Sequence, residues 1–465
     1  MILAYKFEYT HKIPYLAYFL DYYAKKSNLK YTITFKNSEI ILYVDASEDE
    51  LLKFSDESMN LIPNSIFLSK SSVEVTDQMP SFDVKIPDTK FSSITPFMIK
   101  NSKSNEYGIF SEVSVFKDSK FTLVNEENFS EILEFCKLNL THNQPLKFKD
   151  KNGEFIMENG LNFSSNFIMP TSFLNINKAF VADEKTLICL ASFEKPIITL
   201  KLNSIFRDNH KNAPMFFDVK GASDFFIFSL LNALNKDEIF FISVKTEHKG
   251  FKILVQDDEI LVINGGNFSF ENKSCDVEIS DNVYYKGAKS LVKFSEILSF
   301  DELENMIKAD DTGLRLFNNF SKNFRFPSGS IKDSTDFLLL LDMASLVLFG
   351  KNRDYLFEMA SDFLGQKGPR IDCFINELKF DTVKFIRSGM SFKLAGVDDR
   401  LLSYGYIESL MHFFDDFIGD IKDELDIKSV LLKGEIFTQK AGAKCAKKIL
   451  SKSLDVRYKS PLNDD

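Results

Sequence analysis

Apolar positions in the first 85 residues recur with two alternating periods. Period two, typical of a strand with one buried face, predicts strands over Ile2 to Tyr9, Tyr31 to Phe35, Ile40 to Val44 and Ser65 to Val75. A helical period predicts helices over Pro14 to Lys26 and from the capping box Ser47-x-x-Glu50 to about Leu61. The resulting order, βαββαβ, is that of a split βαβ domain.

The pattern weakens between residues 86 and 212. It predicts a polar connector over Phe91 to Asn105, two short strands within Tyr107 to Val124 and a helix that begins at Asn125. Irregular chain is expected afterwards, because Asn152-Gly153 and Asn159-Gly160 interrupt it.

From about Ala213 the chain favours strands first and helices later. The predicted strands are Met215 to Val219, Ile239 to Val244, Phe251 to Val255 and Glu259 to Asn264, followed by a sharp turn at Asn264-Gly265-Gly266. The predicted helices are Asp301 to Ile307, Asp336 to Phe349, Tyr355 to Leu364, Tyr404 to Ile421 and Ala441 to Leu450. Since the chain then ends in strand, turn, helix and strand, the pattern indicates an α/β domain.

Composition narrows the functional classes. A length of 465 residues suits two or three domains, and an apolar content of 44% is enough to bury their cores. The net charge of −10 comes from acidic and basic residues mixed along the chain, without the basic stripe of a nucleic-acid-binding protein. We therefore expect no nucleic-acid partner.

The sequence also predicts no membrane span. The longest apolar stretch, Phe337 to Phe349, is shorter than the roughly 20 residues that cross a bilayer. The N-terminus lacks the basic flank and apolar stretch of a signal peptide. Five cysteines form no C-x-x-C pair, so neither a disulfide framework nor a zinc site is predicted. A cytoplasmic location is the expectation.

The last 37 residues carry the clearest resemblance to a known family. They contain a strand from Ser429, the turn Lys433-Gly434-Glu435, a helix, another strand and the segment Asn463-Asp464-Asp465. This order resembles the C-terminal end of the HypF carbamoyltransferases, which help to build the cyanide ligands of nickel-iron hydrogenases. The resemblance implies an α/β domain of the actin-like ATPase type, with a phosphate-cradling turn at 433–437 and an aspartate metal ligand at Asp464.

The turn departs from the family's S-G-G-V-F pattern in its charges. Phosphate cradles use small residues so that backbone N–H groups approach the anion, and Glu435 puts a negative charge where the family has glycine. Lys433 is the candidate to offset that charge. Two interpretations remain: a phosphate or nucleotide turn of Lys433, Gly434 and Glu435 with ATP as cofactor, or a plain strand-to-helix turn.

The first 85 residues resemble the acylphosphatase-like domain that opens HypF proteins. Ile13 aligns with the arginine that grips the acyl phosphate in the family's F-R-P-F segment. The family's asparagine, which orients the attacking water, falls on Phe35, with Asn37 nearby. The resemblance therefore implies the fold without acyl phosphate hydrolysis. His11 and Lys12 are the remaining polar candidates for catalysis, and solvated surface residues are the alternative.

The middle of the chain resembles the family only in parts. Ile86-Pro87-Asp88 is similar to the segment that opens the HypF zinc-finger region, but no C-x-x-C pairs follow. The segment Ser192 to Ile197 is similar to the S-P-x-R-P-I segment of the nucleotide-binding YrdC-like domain, yet no basic cluster spaced for a triphosphate accompanies it. The resemblance implies an acylphosphatase-like domain at 1–85, a connector and degenerate YrdC-like region at 86–212, and a transferase-type domain at 213–465.

Metal ligands are scarce in the sequence. In the family an H-x-x-x-H cluster and the late aspartate hold a metal beside the nucleotide phosphates. The five histidines here, at positions 11, 142, 210, 248 and 412, lack that spacing, which leaves Asp464 without partners. Glu408, His412 and Asp416 lie four residues apart on one face of a predicted helix, a spacing able to hold a divalent cation. A solvated acidic helix face is the alternative.

Three hypotheses of different class follow. In the first, which we favour, the chain is a catalytically degenerate HypF relative, an accessory factor in [NiFe]-hydrogenase maturation that contacts the hydrogenase large subunit or other maturation proteins. In the second, it is an active carbamoyltransferase that uses ATP or carbamoyl phosphate through replacements around Lys433, Asp464 and the 264–266 turn. In the third, it is a soluble α/β protein of unrelated role. Nucleotide binding separates the first two.

Overall fold

The computed structural model describes most of the chain, in ranges separated by short gaps. The described residues are 1–11, 13–81, 84–88, 90–210, 213–248, 250–256, 259–265, 275–287, 289–332, 335–376, 379–450 and 455–458. They divide into two compact units, one of residues 1–260 and 264–268, the other of residues 261–263 and 269–465.

The first unit begins with a four-stranded antiparallel sheet. Its elements are β1 (Ile2–Tyr9), α1 (Ala17–Ser27), β2 (Lys30–Lys36), β3 (Glu39–Asp45), α2 (Glu48–Glu57), a 3₁₀ turn (Met59–Leu61) and β4 (Leu68–Thr76). The strands lie in the order β2-β3-β1-β4, which makes β4 an edge strand. The predicted βαββαβ order is confirmed.

Local sequence explains these elements. Asn37 and Ser38 adopt left-handed φ angles of 52° and 60°, which the tight turn between β2 and β3 requires. Ser47 and Glu50 form the predicted capping box, in which the Glu50 carboxylate accepts the Ser47 N–H at 3.0 Å. Odd-numbered side chains of β1 face the helices, and Tyr5 packs edge-on against an aromatic ring of α2.

A larger sheet of eleven strands completes the first unit. Its strands are β5 (Ser114–Lys117), β6 (Lys120–Leu123), β7 (Leu146–Asp150), β8 (Gly153–Asn159), β9 (Phe167–Pro170), β10 (Phe180–Val181), β11 (Ile197–Leu202), β12 (Phe216–Lys220), β13 (Phe241–Thr246), β14 (Phe251–Gln256) and β15 (Glu259–Gly265). They lie in the order β15-β14-β11-β12-β9-β13-β8-β7-β5-β6, with β10 paired to β11. The helices are α3 (Pro96–Asn101), α4 (Phe129–Thr141), α5 (Glu184–Ala191), α6 (Ser204–Asn209) and α7 (Phe225–Lys236), with a 3₁₀ helix at Phe173–Lys178.

Two parts of this region differ from the sequence prediction. The segment 91–105, expected as a polar connector, contains α3 and buries Phe91 and Met98. The chain from 146 to 170, expected to be irregular, forms β7, β8 and β9. Gly153 and Gly160 take φ angles of 129° and 87°, so they turn the chain at the two ends of β8. The Asn-Gly pairs therefore mark strand ends within a sheet, where the sequence suggested a loop.

The predicted boundary between residues 212 and 213 lies inside the first unit. Strand β12 pairs with β11 and β9, β13 pairs with β8 and β9, and α7 shares its hydrophobic core with α4. The strands predicted between 215 and 264 thus belong to the large sheet, because β12, β13 and β14 pair with strands that precede residue 213 and β15 continues the sheet beside β14. The two compact units divide at about residues 260–269 instead.

The second unit is helix-rich around two small sheets. One sheet contains β16 (Val277–Ile279), β17 (Val283–Tyr285), β18 (Lys289–Ser290), β22 (Ser429–Leu432) and β23 (Asp455–Tyr458), and the other contains β19 (Lys293–Phe294), β20 (Ile375–Asn376) and β21 (Lys379–Phe380). The helices are α8 (Phe300–Ile307), α9 (Asp311–Phe320), α10 (Phe337–Phe349), α11 (Arg353–Asp362), α12 (Thr382–Leu394), α13 (Asp399–Leu425), α14 (Glu435–Thr438) and α15 (Lys440–Leu450).

Helix α10 lies at the centre of this unit. It is apolar on nearly every side because its residues pack in the core with α11, α12 and α13, and the Phe337 ring meets the Phe414 ring edge-on at 4.9 Å between centroids. The predicted strand-turn-helix-strand end is present, with β22 and β23 paired in parallel. Within the described ranges, no helix has both the length and the apolar character to cross a membrane.

In the first unit, Asp224 fixes the segment 93–112 to helix α7. Its buried carboxylate caps the helix and accepts hydrogen bonds from Phe226 N–H, Ser93 Oγ, Ser111 Oγ and Glu112 N–H, each at 2.8 or 2.9 Å. Burial raises the pKa of Asp224, while these four donors oppose the rise. One carboxylate thus satisfies donors from three separate segments.

We predict that Asp224→Ala lowers the free energy of unfolding by about 3 kcal/mol, because several buried donors lose their acceptor. The matched control is Asp183→Ala, which removes the cap of α5, where the carboxylate accepts the Thr186 N–H at 2.7 Å. That loss should be about 1 kcal/mol. Urea unfolding followed by far-UV circular dichroism measures both values. Equal losses would contradict the role given to Asp224.

Candidate functional site

The turn after β22 lies where the sequence predicted phosphate binding. Gly434 adopts a φ of 87°, and α14 begins at Glu435. A Cβ at position 434 would lie 3.3 Å from the Ser280 Cβ, so glycine suits both the backbone angle and the close approach. The Lys433 N–H donates to the Ile279 carbonyl at 3.0 Å, which anchors the turn to β16.

Both charged side chains of the turn are paired within the second unit. Glu435 accepts two hydrogen bonds from the Arg353 guanidinium, from Nε at 2.9 Å and from Nη2 at 2.8 Å. Lys433 Nζ lies 2.5 Å from Glu278 Oε1. The expectation that Lys433 offsets Glu435 is therefore wrong. Arg353 does so instead, because its planar fork matches both oxygens of a carboxylate.

Further carboxylates lie close to this pair. Asp342 accepts the Arg353 N–H at 2.9 Å. Asp336 caps α10, and its pKa is raised by burial and by the neighbouring Asp281 carboxylate. A phosphate that entered the turn would meet the Glu435 carboxylate and this acidic surrounding, while the arginine it needs is already bound.

Two other predicted features, Asp464 and the turn at residues 264–266, lie wholly or partly outside the described residues. Asp464 and Gly266 lie outside the described residues. Asn264 and Gly265 are the last residues of β15, where the sequence predicted a turn. The metal-ligand role of Asp464 therefore stays a prediction.

The predicted cation face of α13 is split between core and solvent. Glu408 is buried, and its carboxylate accepts the Gly368 N–H at 2.7 Å and pairs with Lys448 Nζ at 3.0 Å. His412 and Asp416 are exposed. Neither a shared metal site nor a fully solvated face results, because one of the three residues serves the core. Among the described residues, no group of three His, Cys, Asp or Glu is placed to hold a metal.

His11 is buried, although the sequence predicted a solvated position. Its ring stacks on Tyr15 at 5.1 Å between centroids and lies 4.9 Å from the Phe67 ring. Its Nδ1 accepts the Ile13 N–H at 3.0 Å, so this backbone donor is used within the loop. Ile13 itself is exposed at the position of the family's arginine. Lys12 lies outside the described residues.

The positions aligned with the family's asparagine serve the sheet. Phe35 is half-buried within β2, and Asn37 is exposed in the hairpin turn that follows. Phe35 has no side-chain amide. The described residues show no contact between the Asn37 amide and the loop that contains His11 and Ile13. The N-terminal domain thus has the predicted βαββαβ order, and His11 packs among aromatic rings.

A cavity in the first unit brings together lysines that are far apart in sequence. Its lining includes Lys151, Lys195 and Lys220, together with the carboxylate residues Glu112, Asp150, Glu194 and Asp224. Lys195 lies two residues before Ile197, which is the direct partner of Lys220 in the pairing of β11 with β12. Lys151 belongs to the turn between β7 and β8. The sequence could not predict this group of lysines, because strand pairing brings them together and their spacing in the sequence follows no motif.

Two of these lysines lack a carboxylate partner within the described chain. Lys151 lies 3.6 Å from Glu112. No carboxylate oxygen of a described residue lies within 4 Å of Lys195 or Lys220, and the Lys220 ammonium is 5.6 Å from the centre of the Phe167 ring. Burial lowers the pKa of Lys220, which the Asp150 carboxylate opposes.

Lys195 has a strained backbone as well as a shifted pKa. Its φ of 46° is left-handed, a conformation that costs a non-glycine residue about 1 kcal/mol or more. Burial lowers its pKa to about 8, and the Glu194 carboxylate opposes that shift. Its Nζ donates to the Ala191 carbonyl at 2.6 Å. Strain kept next to a cavity is typical of functional sites.

Glu194 ties the cavity to the N-terminal domain. Its buried carboxylate accepts the Ser65 hydroxyl at 2.6 Å and the Ile66 N–H at 3.0 Å. Burial raises the pKa of Glu194, and these two donors oppose the rise. Because Ser65 and Ile66 come just before β4, the cavity wall and the small sheet are fixed to each other.

The cavity itself is small, but it adjoins a wider groove. Its volume of about 70 Å³ holds several waters or a small anion and lies far below the 300–1,000 Å³ of common small-molecule sites. The groove, of about 750 Å³, shares Asn152 and His248 with the cavity. This shape suits a ligand with a small end and a larger body.

We predict that the cavity binds sulfate, whose charge is fixed above neutral pH, and that the affinity falls between pH 7 and 9. Lys195 is charged below its pKa of about 8, so the attraction is lost as the pH rises through that value. Isothermal titration should show weaker binding for Lys195→Met and Lys220→Met and a flatter pH profile for Lys195→Met. The control is Lys53→Met on the exposed face of α2. Equal affinity in all variants would contradict this site.

Comparison with known proteins places these features in context. No family model matches the chain. The chain is 23% identical, over an alignment of 524 residues, to the protein named HydE of Wolinella succinogenes, with 95% of each chain covered.

Two solved structures share the fold over almost the whole chain. Full-length HypF in a phosphate- and nucleotide-bound form matches with a TM-score of 0.58 and 9% identity, covering 100% of this chain and 96% of that one. HypF of T. kodakarensis matches with a TM-score of 0.58 and 10% identity, covering 98% of this chain and 95% of that one. The chain therefore shares the fold of full-length HypF, with its acylphosphatase-like, YrdC-like and actin-like ATPase-type parts.

Proposed function

We propose that the protein takes part in [NiFe]-hydrogenase maturation as a HypF-like accessory factor. It acts through contacts with the hydrogenase large subunit or other maturation proteins, in the cytoplasm, and without phosphate chemistry at its C-terminal turn. The full-length HypF fold and the similarity to HydE support the maturation role.

The Arg353–Glu435 pair carries the non-catalytic part of this proposal. Glu435 begins α14, where a phosphate would approach a family turn, and two hydrogen bonds hold it to Arg353. A phosphate could bind Arg353 only by displacing a carboxylate that the chain itself supplies. Since an attached group competes at a high effective concentration, free phosphate is at a disadvantage.

The lysine cavity favours a second candidate function. Lys195 and Lys220 line a space of the size of a small anion, next to a groove able to take a larger body. An active enzyme that uses ATP or carbamoyl phosphate would place its phosphate chemistry there, in the YrdC-like part, and not at Lys433. The cavity therefore supports an enzyme of the same pathway more strongly than the C-terminal turn does.

Hydrogenase activity in cells tests the role directly. We predict that deletion of the gene lowers [NiFe]-hydrogenase activity and that plasmid copies with Lys433→Met, Glu435→Gln or Asp464→Ala restore it, because contacts rather than chemistry at this end are needed. Normal activity in the deletion strain would remove the maturation role. Failure of a stably produced Glu435→Gln protein to restore activity would contradict a purely structural turn.

Nucleotide binding separates the two candidates. We predict that any ATP binding by the purified protein, measured by isothermal titration with Mg²⁺, is weakened by Lys195→Met and unchanged by Lys433→Met, since Lys433 is paired with Glu278. If ATP binding is instead weakened by Lys433→Met and unchanged by Lys195→Met, the nucleotide binds at the C-terminal turn. If the wild-type protein binds ATP and cells that carry Lys195→Met lose hydrogenase activity, the enzyme hypothesis is favoured.

A further inference from the structure

Among the described residues, no strand covers the outer edge of β4 in the small sheet. Strand β4 is the outer strand of four, and every residue from Ser69 to Val75 is exposed. Val73 and Val75 are 55% and 64% exposed, a high value for valines in a strand. An open edge strand of nine residues is a template for pairing with another strand.

The hydrogen bonds of β1 show which of its backbone groups point towards β3. The Ala46 N–H donates to the Met1 carbonyl at 3.1 Å, and the Tyr9 N–H donates to the Ser38 carbonyl at 2.7 Å. Both contacts continue the regular register of β1 with β3. Odd-numbered residues of β1 therefore bond to β3, and the even-numbered ones bond to β4, because bonding directions alternate along a strand.

The same alternation identifies the outward groups of β4. Ala4 lies opposite Glu74, and Lys6 lies opposite Ser72, so even-numbered residues of β4 bond to β1. The odd-numbered residues direct their N–H and C=O groups away from the sheet. These residues are Ser71, Val73 and Val75, since Ser69 lies at an irregularity in the pairing of β4 with β1.

Charge then selects one register for a second copy of this strand. An antiparallel copy must place odd residues opposite odd residues, as it does when the two-fold axis passes at Ser71, Ser72 or Val73. With the axis at Ser72, Lys70 faces Glu74 of the second copy, and symmetry repeats this ion pair. With the axis at Ser71 or Val73, Lys70 faces a serine or threonine. Non-hydrogen-bonded pairs such as 70 with 74 bring side chains closest together.

We propose that β4 pairs with β4 of a second copy in the register centred on Ser72, which joins the two small sheets into a continuous one. On the sheet face opposite to Lys70 and Glu74, Val73 lies directly across from Ser71 of the second copy and diagonally across from Val73 of that copy. The two Val73 side chains therefore become less exposed to solvent. Glu74 already contacts Lys6 at 2.5 Å and Lys70 lies 3.9 Å from Glu8, so the copy extends an existing row of alternating charges. One strand pair buries less than the roughly 1,200 Å² of a standard interface, so the association is weak.

A proline at position 73 tests the backbone part of this interface. The Val73 N–H points outward, so Val73→Pro removes a donor to the second copy without removing a bond to β1. Sedimentation velocity at protein concentrations from about 1 to about 100 µM covers the range of weak association. We expect the wild type to move from its monomer mass of 53.4 kDa towards twice that mass, while Val73→Pro stays monomeric.

Charge exchange tests the register. Glu74→Lys places two lysines opposite each other and should abolish the dimer, whereas the double exchange Lys70→Glu with Glu74→Lys restores opposite charges and should recover it. Glu57→Lys, on the exposed end of α2, makes the same charge change away from the strand and should dimerise like the wild type. Circular dichroism confirms that each variant is folded.

Three results would overturn this interface. A wild type that remains a monomer across the whole concentration range excludes it. A dimer that survives Val73→Pro uses another surface. A double exchange that stays monomeric, while Glu57→Lys dimerises, contradicts the register centred on Ser72.

Discussion

A carboxylate removed from water must receive hydrogen bonds, and this requirement joins the parts of the first unit. Glu194 accepts donors from the loop before β4, and Asp224 accepts donors from the segment around residues 93–112. Glu106 accepts the Tyr23 hydroxyl of α1 at 2.5 Å. Each carboxylate comes from the region of the large sheet or the chain leading to it, and each binds a segment that is distant in sequence.

Carboxylates of the second unit are also held by partners from distant parts of the chain. Glu435 stands at a helix start that suits an anion, and the chain supplies both that anion and the Arg353 that binds it. Glu408 is likewise held by Lys448 and the Gly368 N–H. Charges at these positions stabilise the fold, whereas Lys195 and Lys220 in the cavity of the first unit have no carboxylate within 4 Å among the described residues.

Much of the fold could be predicted from the sequence because local patterns determine it. The alternation in β1, β2 and β3, the left-handed Asn37-Ser38 turn and the Ser47 capping box are all readable within a few residues. The end of the chain, with β22, Gly434 and α15, was predicted for the same reason. The strands β7 and β8 were missed because the Asn-Gly pairs at their ends indicated loop, and no local pattern shows that both strands join a sheet built from later segments.

The candidate site was less predictable because its contacts are distant in sequence. Arg353 meets Glu435 across 82 residues, and Lys195 approaches Lys220 only through the pairing of β11 with β12. His11 is buried against Phe67, which directly precedes β4. Its neighbours in sequence suggested a solvated position, because Phe67 lies far from it in sequence. Spacing within a motif identified the turn correctly as a turn but could not show that its charges were already paired.

The central claim is that this HypF-like chain acts in hydrogenase assembly through protein contacts, and purification of the tagged protein from hydrogenase-producing cells tests it most directly. Mass spectrometry of the co-purified proteins should identify the hydrogenase large subunit or other maturation proteins, enriched over a tagged cytoplasmic control. Recovery should be equal for the wild type and for Glu435→Gln. If a tagged protein that restores hydrogenase activity brings down neither class of partner, the claim is contradicted.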